Sequence, residues 1–360
     1  MRAWLLGLCL LGLGVGGAHA YPKNMVTGGT AGTYIKIGQD IAGLARHFDV
    51  ELLVQESAGS IENVEAVFKR RHTQFGIVQS DVLDFIGSFS DDPELRQTAA
   101  RMKMIFPLYN EEVHVLGRPG IRTLGDLQGK RVAVGQEQSG TYLTATFLLA
   151  AANVWPGEEI QIGTDEALRA LREGRIDAMF YVAGQPARIF AEDVTAEDNF
   201  SFVAIADPAV LDLYPRSLIR ADAYPWMKAD VPTVAVRAVL MTYDFSKANA
   251  YHREACQAVG KVARIVHDNI DWLRQPGNGH PKWQQVDLNA ELVNWDRSAC
   301  AVEGLTGLQG YALGSGAVAV RGGEGVDCDA ESNAIRRKLC LVKEQMRRME
   351  PGPSAAVMAR

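Results

Sequence analysis

Two stretches of this chain end alike. "TGGTAGTY" runs from Thr27 to Tyr34 and "VGQEQSGTY" from Val134 to Tyr142, and each leads into apolar residues at helical spacing. Two further polar loops are "ESAGS", Glu56 to Ser60, and "QSD", Gln79 to Asp81. The candidate contacts they offer are Thr27, Gly28, Gly29, Thr30, Gly32, Thr33, Ser57, Gly59, Ser60, Gln79, Ser80, Ser139, Gly140 and Thr141. These are glycines, hydroxyls and amides. Glycine lets a backbone approach a ligand and turn its N–H groups inward. The start of a helix adds unpaired donors and a partial positive charge. Together they can hold a carboxylate or another small anion with no formal counter-charge.

Patterns that would carry catalysis are missing. There is no G-x-S-x-G, H-E-x-x-H, Walker A loop or EF-hand loop. Asp81 and Glu137 could act as acid and base, but no nucleophile is paired with them. No cofactor is implied. Gly12, Gly14 and Gly17 do spell G-x-G-x-x-G, but that fingerprint needs a strand before it and a helix after it. Here it falls in residues 1–20, where Arg2, an apolar run from Leu5 to Val15 and Ala18-His19-Ala20 read as a cleavable signal peptide. The expected location is the periplasm. Loss of Arg2 takes the formal net charge from −6 to −7, which disfavours nucleic acid and anionic membrane surfaces as partners. The histidines show no metal-ligand spacing, and no C-x-x-C occurs. Cys256, Cys300, Cys328 and Cys340 remain after cleavage; in an oxidising compartment they allow two disulfides in any of three pairings.

The loops need a frame. Met25–Thr27 reads as a strand, and Ile37, Ile41, Leu44 and Phe48 follow at helical spacing. Val50–Gln55 is a buried strand, Ser60 could cap a helix carrying Ile61, Val64 and Phe68, and Phe75–Val78 is another strand. The middle of the chain repeats this order: a strand at Arg131–Val134, a helix with Leu143, Phe147, Ala150 and Val154, and a strand at Ile160–Ile162. A helix capped by Thr164 and stopped at Gly174 follows, then a strand at Ile176–Val182. Alternating strand and helix implies α/β units with parallel sheets, and two runs imply two sheets. In such sheets ligands bind beyond the carboxyl ends of strands, where these loops fall. The 360 residues suffice for two domains: 21–112 with 235–297, and 113–234. Two crossings between them make a hinge, with a cleft between the domains. Residues 298–360 read as a Gly-rich segment and then a helix with Ile335, Leu339, Val342, Met346 and Met349 on one face.

"TGGTAGTYIKIG", "ESAGSIENVEAV", "FGIVQSDV", "LYNEEVHVLGR", "TLGDLQGKRVAVG", "QSGTY", "DAMFYVAGQP", "DVPTVAVRAVLMTY" and "GHPKWQQVDL" closely resemble the TAXI family over roughly residues 24–290. TAXI proteins are solute receptors of tripartite ATP-independent periplasmic (TRAP) transporters. The resemblance implies two doubly wound α/β domains in a type II periplasmic-binding-protein fold. It also implies a monomer that captures a small carboxylate, glutamate-like or a C4/C5 dicarboxylate, and delivers it to membrane permease subunits. Carried over by motif, one wall of the cleft would present Gly29, Thr30, Thr33, Tyr34, Ser57, Ser60, Asn63, Gln79 and Ser80. The other would present Ser139, Gly140, Thr141, Tyr142, Tyr181 and Gly184. Ala31 and Lys36 stand where family members often have glycine and proline, and Lys36 would bring charge near the pocket. A receptor of an ATP-driven importer, a periplasmic ligand sensor and an exported enzyme on the same fold are the competing readings.

Overall fold

The computed structural model describes residues 21–307, except 31, 247, 248 and 293, together with 310 and 311. The expected signal peptide, Ala31, Cys328, Cys340 and the apolar stripe from Ile335 to Met349 lie outside the described residues.

The first run of elements is β1 (Lys23–Val26), α1 (Thr33–Arg46), β2 (Leu52–Gln55), α2 (Ser60–Lys69), β3 (Thr73–Gln79), α3 (Val82–Phe89) and α4 (Pro93–Ala99). The long strand β4 (Met102–Gly117) leads to β5 (Arg131–Ala133), α5 (Gly140–Ala151), β6 (Glu158–Ile160), α6 (Thr164–Arg172) and β7 (Ala178–Ala183). Next come α7 (Arg188–Glu192), β8 (Ser201–Phe202), α8 (Pro208–Leu213) and β9 (Arg216–Ile219). A second long strand, β10 (Val231–Tyr243), returns to α9 (Ala250–Asp268), α10 (Ile270–Leu273) and α11 (Ala299–Thr306).

Strand order exposes a duplication. The sheet path reads β2-β1-β3-β10-β4-β7-β5-β6. Its left half, β2-β1-β3-β10, has the same plan as its right half read inward, β6-β5-β7-β4. In each half three strands run parallel and the fourth is antiparallel. Each half is doubly wound α/β, giving the expected two-lobed, type II fold. The two halves are joined more closely than two separate sheets. β4 and β10 pair with each other from Met102↔Tyr243 to Glu112↔Ala235, and β4 then pairs with β7 from Glu112 onward. A strand of 16 residues is long enough to serve both halves, so the sheet path is continuous. Pro107, opposite Val239, has no N–H to give to this ladder, and the register shifts beside it.

The apolar residues sort by half. One cluster draws on residues from Met25 to Tyr109 and from Ala238 to Ala301, with Leu143 reaching in from the other half. Two others lie between Val113 and Val236. β3 is buried along its whole length, which suits the small and apolar run Phe75–Val78 at its centre, with Gln74 and Gln79 buried near its two ends. Among the described residues no helix is long and apolar enough to cross a membrane.

Residues 298–307 differ from the expected loose segment. Ser298 caps α11, which packs on α9. A Cys256–Cys300 disulfide joins the two helices, and one turn later Gly260 meets Gly304 so closely that neither has room for a Cβ. The link closes a sequence separation of 44 residues. Replacing both cysteines by alanine is expected to lower the unfolding free energy in urea by about 2–4 kcal/mol. An unchanged midpoint and slope would show that the cross-link contributes nothing to stability.

Candidate ligand-binding site

A cavity of about 450 Å³ lies where the loops after β1, β2, β5 and β6 face one another. The starts of α1, α2, α5 and α6 border it. Three of these helices begin at glycine, namely Gly32, Gly59 and Gly163, and none has a side-chain cap. Ser139 caps the fourth through Tyr142 N at 3.1 Å. Uncapped first turns leave backbone N–H groups for a ligand, and their partial charges favour an anion. Neither α1 nor α5 carries an acid in its first turn, whereas α6 carries Asp165 and Glu166. The field therefore favours an anion most on the side of α1 and α5.

The two walls touch. Ile61 N donates to Gln138 O at 3.2 Å. Gly59, at φ +132°, has its Cβ position 3.2 Å from Gly140 N, and a Cβ on Gly140 would lie 2.8 Å from Ser60 Oγ. Gly59 is needed because it faces the Ser139–Gly140 backbone at positive φ, and Gly140 because the Gln79 and Ser60 side chains fill the space a Cβ would take. The Thr144 hydroxyl, on α5, is shared between Gln79 Oε1 at 3.2 Å and Asp81 Oδ2 at 3.1 Å. Tyr214 donates to the same Asp81 oxygen at 2.9 Å. Burial pushes the Asp81 carboxyl up to about 6, against the pull of these two hydroxyls.

The cavity is lined by Gly29, Thr30, Thr33, Tyr34, Ser57, Ser60, Gln79, Ser139, Gly140, Thr141 and Tyr181, all expected from sequence. Ser60 Oγ accepts from Gln79 N at 3.0 Å, and Thr141 Oγ1 accepts from Val182 N at 3.1 Å. Each hydroxyl thus braces a loop and keeps its own hydrogen to donate. Four expected residues do not line the cavity. Asn63 is fully buried behind it, giving its amide to Ile77 O at 2.7 Å and accepting from Ser57 Oγ at 2.6 Å. Ser80 is turned to β10, where its hydroxyl accepts from Arg237 N at 3.2 Å. Tyr142, one residue along the helix from Thr141, packs edge-on to Phe85 with ring centroids 6.1 Å apart. Gly184 instead receives Thr33 Oγ1 at its carbonyl, at 3.5 Å.

The lining also corrects the expectation of an uncharged pocket. Glu111, Asp165, Glu166 and Arg169 all line it. Arg169 is compensated by Glu166 at 2.5 Å on the exposed rim. Glu111, on β4, is 2% exposed and accepts from Tyr34 OH at 2.7 Å. Burial pushes its carboxyl up to about 8, with Tyr34 and Lys282 pulling the other way. Near neutral pH it is mostly protonated, so it can donate a hydrogen bond to a bound oxyanion. Lys36 is exposed on the far side of α1, where its charge acts on Asp40, and it does not line the cavity. In "NEEV" nothing local tells Glu111 from Glu112; only the strand's setting in the sheet decides which one faces the cavity.

Ser60→Ala and Thr141→Ala are each expected to weaken ligand binding by about 1–3 kcal/mol. Calorimetry showing unchanged affinity in both would remove these hydroxyls from the site. For Glu111 the folded chain holds its proton up to about pH 8, whereas the unfolded chain releases it near 4.3. Its contribution to stability is therefore greatest below pH 4.3, falls as pH rises to about 8, and is flat beyond. Glu111→Gln has no proton to lose. It should gain in Tm relative to the parent at pH 9 but not at pH 5; an equal difference at both would contradict the assignment.

Three solved structures show how the chain compares. The periplasmic binding protein BugD is 12% identical, with a TM-score of 0.47, covering 74% of this chain and 89% of that one. A TctC solute-binding protein from Polaromonas is 15% identical, with a TM-score of 0.39, covering 70% and 87%. The periplasmic sulfonate-binding protein SsuA from Methylobacillus flagellatus KT is 12% identical, with a TM-score of 0.42, covering 72% and 70%. By sequence, residues 25–286 match the NMT1-like family as a whole. That span is more than half of the chain, and the protein belongs to the NMT1-like family.

Proposed function

We propose that this protein is the extracytoplasmic solute receptor of a TRAP transporter of the TAXI type. It captures a small carboxylate, glutamate-like or a C4/C5 dicarboxylate, in the periplasm and delivers it to a membrane permease. The observation that carries the reading is the convergence of four helix starts, three of them uncapped glycine starts, on one cavity between the lobes. That arrangement supplies anion recognition from backbone donors.

The domains we assign are 21–112 with 235–297, and 113–234, so that the crossings of β4 and β10 are the hinge. A ligand that touches both walls stabilises only the closed arrangement, which is how it shifts the population toward the form the permease reads. The contacts of Asp81 with Thr144 and Tyr214 join the same two domains and would break on opening.

A thermal-shift screen of organic acids and amino acids tests this. A carboxylate present at a hundred times its dissociation constant should add about 2.7 kcal/mol of stability. Stabilisation by neutral sugars or by cations alone would overturn the carboxylate reading. Undiminished carboxylate uptake in a strain lacking the protein would overturn the transport reading.

A further inference from the structure

A second cavity, of about 610 Å³, opens on the other side of the hinge strands. Successive side chains of a strand point to opposite faces. Glu111 lines the cavity between the lobes, whereas its neighbours Asn110 and Glu112 line this one. The two cavities therefore share only the β4 backbone.

Three arginines line the second cavity: Arg216, Arg220 and Arg237. The one acid in its lining, Glu112, is already neutralised by Lys282 at 3.0 Å. Arg220 is held by the exposed Asp222 at 3.1 Å. Arg216 has no carboxylate partner among the described residues. Arg237 is partly buried and gives one nitrogen to Leu108 O at 3.1 Å, again with no carboxylate in ion-pair reach among the described residues. Two guanidinium groups without an ion pair among the described residues thus border one concave site, with Asp287 acting on Arg237 only from beyond ion-pair distance. Arg237 is the one of the two whose charge is partly out of water, which is unfavourable unless an anion pairs with it, and the exposed Arg216 is free to close on the same anion. The planar fork of a guanidinium matches a carboxylate or phosphate group by two parallel hydrogen bonds.

We infer that this cavity is a second anion site, built for a small doubly charged oxyanion such as phosphate or a dicarboxylate. Arg216 stands on β9, opposite Val234, while Arg237 stands opposite Asn110, one residue before β10 begins to pair with β3. An anion held by both would tie the lobes together behind the hinge. The inference is independent of what the cavity between the lobes binds.

The test uses the full chain at constant ionic strength, with inorganic phosphate followed by its phosphorus NMR line width and malonate followed by calorimetry. Saturable binding of either is expected, and which of the two binds identifies the source of the oxyanion. Arg216→Ala, an exposed change that leaves the fold intact, and Arg237→Gln should each weaken it at least tenfold, whereas Ser60→Ala should leave it unchanged. Absence of saturable binding, equal binding by the parent and Arg216→Ala, or weakening by Ser60→Ala alone would overturn the inference. The last result would assign the anion to the cavity between the lobes.

Discussion

The ion pair of Lys282 with Glu112 is the contact on which the centre of the molecule depends. Both residues are 2% exposed. The ammonium donates to Glu112 at 3.0 and 3.1 Å, to Asn110 O at 2.9 Å and to Gln285 Oε1 at 3.1 Å, over the Tyr109 ring. Glu112 also accepts from Gln185 N at 2.8 Å. A buried pair with its remaining donors and acceptors satisfied is tolerable, whereas removing one partner strands a charge. This pair sits where β4 ends its pairing with β10 and begins its pairing with β7. It pins the segment after α10 to the strand that serves both lobes. It also sets the strand's facing: with Glu112 committed to Lys282, Glu111 must face the other way, toward the cavity and Tyr34. A slip of one residue would exchange the two glutamates and put the wrong one in the ligand site.

Around that pivot the electrostatics divide between two cavities. On one face, helix starts and a mostly protonated Glu111 turn hydrogen-bond donors toward the cavity, while its lining cation Arg169 is paired with Glu166. On the other face, guanidinium groups gather with too few carboxylates to compensate them. The glycines at the contact between the walls allow close approach, Gly59 against the Ser139–Gly140 backbone and Gly140 against the Gln79 and Ser60 side chains. Asp81 adds a buried carboxyl that bonds across the same contact.

Much of the frame was legible in the order of residues. Helical spacing places the apolar face of α1, and the short apolar run Phe75–Val78 places β3. The expected faces of α2 and α5 and the expected buried strand at β2 hold only in part, because Phe68, Ala150 and Leu53 are exposed. Boundaries are less so. Gly59 and Gly163, rather than Ser60 and Thr164, occupy the N-cap positions, because those hydroxyls lie inside the first turn. α11 carries no local signal of its own against the Gly-rich stretch that follows it, since what fixes it is a disulfide and a glycine-to-glycine contact with α9. Those partners are distant in sequence, and pairing of four cysteines is not readable from spacing.

The sequence by itself determined the α/β character, the repeated plan, the hydroxyl and glycine loops and the absence of a catalytic motif, because these follow from periodicity and residue type within short windows. Tertiary structure decided which polar residues of those loops face the cavity. Asn63, Ser80, Tyr142 and Gly184 were indistinguishable by type from their neighbours, and only packing turned them away. It decided that Glu111 rather than Glu112 enters the site, because a buried lysine far along the chain claims its neighbour. It also decided that three scattered arginines meet behind the hinge, since charge clustering across distant segments exists only once the strands have paired.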